Sequence, residues 1–145
     1  NDEGPADFDV ASISDVLYEN ITMFEPQEYP IWIGPAQQTG QPCSLAWPQA
    51  ANATCPISAY QTWQNIVLKD ITVVRPRHNP GVLIANSSNP MKNVVFDNVV
   101  VIGGGDDPFQ GGWFCDGMEG AAMHKVHPLP ECFTHVIAPD ETTRL

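Results

Sequence analysis

Basic residues are scarce in this chain. Six Lys and Arg stand against 17 Asp and Glu, for a net charge of −11. That balance argues against nucleic acid and anionic membrane surfaces as partners, since both call for basic patches. No apolar run comes near the roughly 18 residues of a membrane span, and no stretch shows helical period. The chain has no initiator Met and no visible signal peptide. It opens on Asn1-Asp-Glu-Gly-Pro-Ala-Asp-Phe-Asp9, which reads as the start of a processed, excised or partial chain. What is present, 145 residues of which 43% are hydrophobic, is enough for one ordinary domain with a packed core.

The dominant positive signal is an internal repeat. Ile13-Ser-Asp-Val-Leu-Tyr-Glu-Asn-Ile-Thr-Met23, Trp63-Gln-Asn-Ile-Val-Leu-Lys-Asp-Ile-Thr-Val73 and Met91-Lys-Asn-Val-Val-Phe-Asp-Asn-Val-Val-Val101 align without gaps. Their starts are spaced by 50 and 28 residues, and a proline follows 17 residues after each start: Pro30, Pro80 and Pro108. Repeats of about 20 to 50 residues mark arrays in which each unit buries its apolar face on the next. The runs are rich in Val, Ile, Tyr, Phe and Thr, so strands are expected. Asp15, Asn65 and Asn93 are equivalent, as are Asn20, Asp70 and Asn98. Asn and Asp tolerate turn geometry, and stacked strands lie about 4.8 Å apart. Two Asn/Asp ladders with aliphatic stacks between them predict an all-β parallel β-helix, a solenoid of about three coils. A β-sandwich with accidental similarity is the alternative.

Four cysteines fall in two sequence-local pairs, Cys43 with Cys55 and Cys115 with Cys132. Three connectivities are open; local pairing is expected, because each pair closes a loop within one coil. Disulfides imply an oxidising, secreted location. Three N-glycosylation sequons agree with it, at Asn20, Asn52 and Asn86. Asn52 lies in a Pro/Ala-rich loop and is the best acceptor. Asn20 falls on a ladder position, where burial would block it.

The chain divides into an acidic lead-in over 1–12, coils over 13–108 and a cap with tail over 109–145. The lead-in reads as a solvated acidic segment, with a calcium site as the less simple alternative. A long loop over 34–58 interrupts the first coil; Trp47 in it is a sugar-stacking platform or an aromatic lid. Four of the six basic residues, Lys69, Arg75, Arg77 and Lys92, cluster in sequence. With His78 and Trp47, Arg75 and Arg77 could face an anionic polysaccharide, since guanidinium groups grip carboxylates; a solvated turn is the plainer reading. Asp106 and Asp107 invite an acid–base reading, but their place after Gly103-Gly104-Gly105 favours a hydrated turn. Cys115, Cys132, His124, His127 and His135 have no common zinc-finger spacing. No metal, cofactor or catalytic residue is assigned. Phe109 to Leu145 is expected to be an irregular, disulfide-stapled cap.

The segment at Ile13–Met23, followed by Tyr29-Pro-Ile-Trp-Ile33, resembles polygalacturonases and other members of glycoside hydrolase family 28. The resemblance covers roughly residues 11–35 and 60–102. It implies a right-handed parallel β-helix and, for the parent protein, hydrolysis of pectin or a related polysaccharide. The family's Asn-Thr-Asp, Asp-Asp, Gly-His-Gly and Arg-Ile-Lys motifs lie upstream of the matched coil, so none carries over. Two readings follow: the C-terminal part of a secreted polysaccharide hydrolase, or a non-catalytic glycosylated scaffold of a matrix, fibre or appendage. A third is a carbohydrate-binding module using Trp32, Trp47 or Trp113. In each, residues 1–20 are expected to pack against preceding coils or another chain, because a lone first coil leaves strand edges unpaired.

Overall fold

The computed structural model describes residues 11–37, 43–78 and 80–137. The acidic lead-in up to residue 10, residues 38–42, position 79 and the tail beyond 137 lie outside the described residues. Within them the chain is all-β, with no helix. In particular, no helix is long and apolar enough to cross a membrane.

The described residues form nine strands: β1 (Ala11–Phe24), β2 (Ile31–Ile33), β3 (Gln61–Val74), β4 (Gly81–Ile84), β5 (Met91–Ile102), β6 (Phe114–Asp116), β7 (Met118–Glu119), β8 (Ala122–His127) and β9 (His135–Val136). They build two sheets. The larger runs β1-β3-β5-β8-β9, with β7 also on β5; the smaller runs β2-β4-β6. Every strand pair is parallel. This excludes the antiparallel sandwich weighed above.

The repeats stack in register, residue on residue. Ile13 lies on Trp63, Val16 on Ile66, Tyr18 on Leu68 and Ile21 on Ile71. The series continues from Ile66 to Val94, Leu68 to Phe96 and Ile71 to Val99. A simple strand would alternate strictly, placing 63, 65 and 67 on one face. Instead the buried residues of β3 are Trp63, Ile66, Leu68, Ile71 and Val73. The period is two within a segment and three across each Asn/Asp. The cause is backbone conformation. Asp15, Asn65 and Asn93 have φ of 58, 55 and 51°, and Asn20, Asp70 and Asn98 have 58, 53 and 56°. Each left-handed residue bends the strand and resets the alternation, so the apolar side chains stay on one side. Asn and Asp suffer least from this conformation among residues with a Cβ.

Side chains add to the corners. Asn65 Nδ2 donates to Asp15 Oδ1 at 2.9 Å, and Asn93 Nδ2 donates to Asn65 Oδ1 at 2.9 Å. In the second ladder Asn98 Nδ2 donates to Asp70 Oδ1 at 2.6 Å. A third corner uses Glu25 and Arg75, with φ of 48 and 50°, and replaces the amide bond by an ion pair. Asn93→Ala should therefore lose one exposed hydrogen bond and add left-handed strain, about 2 kcal/mol together. Asn93→Gly removes the same bond without the strain and should cost about half as much. Denaturant unfolding of the two variants measures the difference; equal losses would remove the strain argument.

The structure adds a layer that the repeat pattern did not show. Residues 118–127 lie on β5 in the same frame, with Met118 on Met91, Met123 on Phe96 and Val126 on Val99. Its corners are Gly120 and Lys125, with φ of 68 and 52°. The span expected to be irregular from residue 109 is thus partly a fourth ladder strand. The third strand of the small sheet, β6, begins at Phe114, six residues beyond Pro108, whereas β2 and β4 each begin directly after their proline.

Burial grades along the stack. At one stacked position exposure falls from 49% at Ile13 to 5% at Trp63 and 0% at Met91; at another it falls from 53% at Tyr18 to 4% at Leu68 and 0% at Phe96. Among the described residues β1 is thus an uncovered end, whose inward side chains have a strand neighbour on one side only. Two clefts open there, lined by Ile13, Val16, Ile21, Met23, Trp63 and Ile66 among others. At the opposite end Phe96 meets Trp113 and Phe133, and Ile137 covers Val95 and Ala122.

The cysteines pair locally, Cys43 with Cys55 and Cys115 with Cys132. Two disulfides fit an oxidising, extracellular-type environment.

Candidate functional site

The anionic-sugar patch read from sequence is only partly assembled. Arg75 directs Nε and Nη2 to Glu25 Oε1 at 3.0 and 2.7 Å, so its charge is already matched. The two residues are 50 apart, the repeat spacing, which makes them equivalent corners. Arg77 is exposed, and its backbone N–H donates to the Pro26 carbonyl at 3.0 Å. His78 lies flat on Tyr29, with ring centroids 5.2 Å apart and planes 24° from parallel. Trp47 meets Trp32 and Phe114 edge-on, at 5.7 and 5.1 Å. Trp47 therefore touches both outer strands of the small sheet, β2 and β6, and His78 belongs to the same aromatic group through Tyr29 and Trp32.

Asp106 and Asp107 are both exposed, on the Gly-rich connection after β5. The glycines there have a packing cause. A Cβ at Gly104 would stand 2.9 Å from the Pro76 carbonyl oxygen, and one at Gly105 would stand 2.8 Å from that of Arg77. Chain approaches chain too closely for a side chain.

On the outer face, register places Glu19, Lys69, Asp97 and His124 in one row. Acidic Glu19, basic Lys69 and acidic Asp97 follow one another along it, and His124 ends the row. Lys69 Nζ is 3.1 Å from Glu19, and His124 Nδ1 is 2.8 Å from Asp97 Oδ1. Glu19 raises the Lys69 pKa, chiefly by hydrogen bonding and then by charge, with smaller help from Asp70 and Asp97. Asp97 is the buried carboxylate among the described residues, and its partner is His124. This row joins neighbouring strands; it does not present a carboxylate pair to a groove. Cys115 and Cys132 are bonded to each other, so neither offers a thiolate to a metal beside His124, His127 or His135.

No protein-family model, curated protein or solved structure matches this chain. What the chain can do is therefore read from its own geometry.

The most site-like feature is aromatic. Tyr29, Trp32, Trp47, His78, Phe109 and Phe114 form one half-buried belt, with centroids 5.1 to 6.5 Å apart. Beside it opens a hollow of about 430 Å³ lined by Glu28, Tyr29, Trp32, Gln37 and Leu45. Sequence reading named Trp32, Trp47 and His78 but not their neighbours. Trp32 lies in β2 and Phe114 in β6, while Tyr29, Trp47, His78 and Phe109 come from the β1–β2, β2–β3, β3–β4 and β5–β6 connections, and no local pattern ties them together. Trp113 is buried, and its Nε1 donates to the Pro128 carbonyl at 2.9 Å, so it is no surface platform.

The sequons differ in access. Asn52 is exposed. Asn20 is exposed as well, contrary to the burial expected of a ladder position, because corner side chains point outward. Asn86 is half-buried; its Nδ2 donates to the Ile57 carbonyl at 2.7 Å and its Oδ1 accepts from Ser88 N–H at 2.8 Å. Glycopeptide mapping of the chain expressed through a glycosylating host should find Asn52 occupied and Asn86 bare. Full occupancy at Asn86 would contradict the local packing.

Proposed function

We propose that this chain forms the last coils of a right-handed parallel β-helix in a secreted polysaccharide hydrolase of the polygalacturonase type, glycoside hydrolase family 28. The observation that carries the reading is the stack itself. Repeats separated by 50 and then 28 residues lie in parallel register, with one Asn/Asp ladder bonded through three layers. Glycosidic hydrolysis by inversion needs an acid and a water-activating carboxylate on opposite sides of the scissile bond. In this proposal those groups belong to coils stacked on the uncovered face of β1. The present chain closes the far end of the helix and extends its surface.

The uncovered end supports the partner half of the reading. Ile13 and Tyr18, whose stacked equivalents Trp63 and Leu68 are buried, are exposed by 49 and 53%. A polypeptide layer carrying the same spacing of apolar residues and corner Asn/Asp would cover the inward-pointing residues of β1 and pair its free edge. The second reading, a glycosylated non-catalytic scaffold, is favoured by the same end, because end-to-end stacking of copies would also cover it.

The deciding experiment measures reducing ends released from polygalacturonate. The protein isolated from its source is expected to release them, and residues 1–145 expressed alone are not. A source protein inert on pectic polymers but assembled into filaments would replace the hydrolase by the scaffold.

A further inference from the structure

The hollow beside the aromatic belt has the size and lining of a ligand site, and neither reading above uses it. At about 430 Å³ it falls within the roughly 300–1,000 Å³ of small-molecule pockets, which join aromatic walls to a few fixed polar groups. We propose that it binds a neutral pyranose unit of a polysaccharide, with Trp32 and Tyr29 supplying the ring surface and Glu28 and Gln37 receiving the sugar hydroxyls.

The platform is held in advance of binding. Trp32 Nε1 donates to the Pro35 carbonyl at 2.9 Å, and its ring lies edge-on to both Tyr29 and Trp47. Tyr29 stacks on His78, and its hydroxyl accepts from Gln49 Nε2 at 3.0 Å. Gln37 Nε2 donates to the carbonyls of Ser44 and Trp47. Groups fixed this way lose little freedom when a ligand arrives. The electron-rich ring faces suit the C–H-lined face of a pyranose. Burial, and after it Glu28, raises the Tyr29 hydroxyl to about 12, so it stays a neutral donor. Selection against uronates comes from charge. Glu28 lines the hollow and the chain carries −11, with Arg75 already matched by Glu25. A carboxylated sugar would meet repulsion where a neutral one meets an acceptor.

This site stands apart from hydrolysis, and a scaffold would carry it equally well. The test titrates the full chain with cellohexaose, xylohexaose and hexagalacturonate, reading tryptophan fluorescence and the Trp32 indole NMR signal. At least one neutral hexasaccharide should bind, about tenfold or more tighter than hexagalacturonate. Trp32→Ala should weaken it by about tenfold or more, while Trp32→Phe retains part of the affinity. Glu28→Gln should narrow the gap between neutral and acidic sugars. Native-like spectra for each variant keep loss of fold separate from loss of site. The proposal fails if neither neutral hexasaccharide shifts the Trp32 signal at millimolar concentration. It fails equally if hexagalacturonate binds as tightly, or if a folded Trp32→Ala chain binds unchanged.

Discussion

Phe96→Ala should destabilise the chain more than any other single truncation considered. Phe96 has no exposed surface and stacks directly on Leu68. Its ring also touches Trp113 at 5.3 Å and Phe133 at 4.8 Å, so it joins the ladder to the closing end. Removing a buried Phe costs about 3–5 kcal/mol through lost transfer energy and a residual cavity. A domain is stable by about 5–15 kcal/mol, so this one change removes a large share. The melting midpoint should fall by roughly 10–15 °C. Phe24→Ala, at a residue 70% exposed, should shift stability by less than about 0.5 kcal/mol. Calorimetry of both variants checks the pair. Equal losses would mean that the stack is not the core.

Loss of the Cys115–Cys132 bridge should have the next largest effect. The bond spans 17 residues and both cysteines pack against the main core. Cross-links closing loops of this length contribute about 3 kcal/mol, largely by restricting the unfolded chain. The bridge also ties β6 to the segment that brings Phe133 onto Phe96. Cys115→Ala with Cys132→Ala should thus lower stability by about 3 kcal/mol. Amides of β8 and β9 should lose exchange protection before those of β3. Opening Cys43–Cys55, which spans 12 residues, should instead alter the environment of Trp47 and leave β8 protected. Hydrogen exchange resolves the two; identical protection maps would contradict this division.

The sequence carried the ladders because Asn and Asp are the residues that a left-handed corner selects. Asp15, Asn65 and Asn93 could be aligned without any structure. The fourth layer was hidden for the same reason. Gly120 and Lys125 hold its corners, and Ala121 and Ala122 stand where bulkier residues mark the other copies. The Glu25–Arg75 pair was within reach, since 25 and 75 are equivalent positions 50 apart. The nearness of Arg75 and Arg77 in sequence masks it, because the partner of Arg75 lies one repeat away. The aromatic belt had no such signal. Trp32 and Phe114 share one stacked position, on either side of Val82, but Tyr29 and Trp47 lie in connections and join them only after the two sheets have formed.

The in-register parallel stack underlies the fold, the uncovered end and the proposed function together. Nuclear Overhauser contacts in the isotopically labelled chain test it most directly. The account predicts backbone contacts from Ile66 to both Val16 and Val94, in the parallel pattern. Contacts to only one of them, or an antiparallel pattern at either, would contradict it.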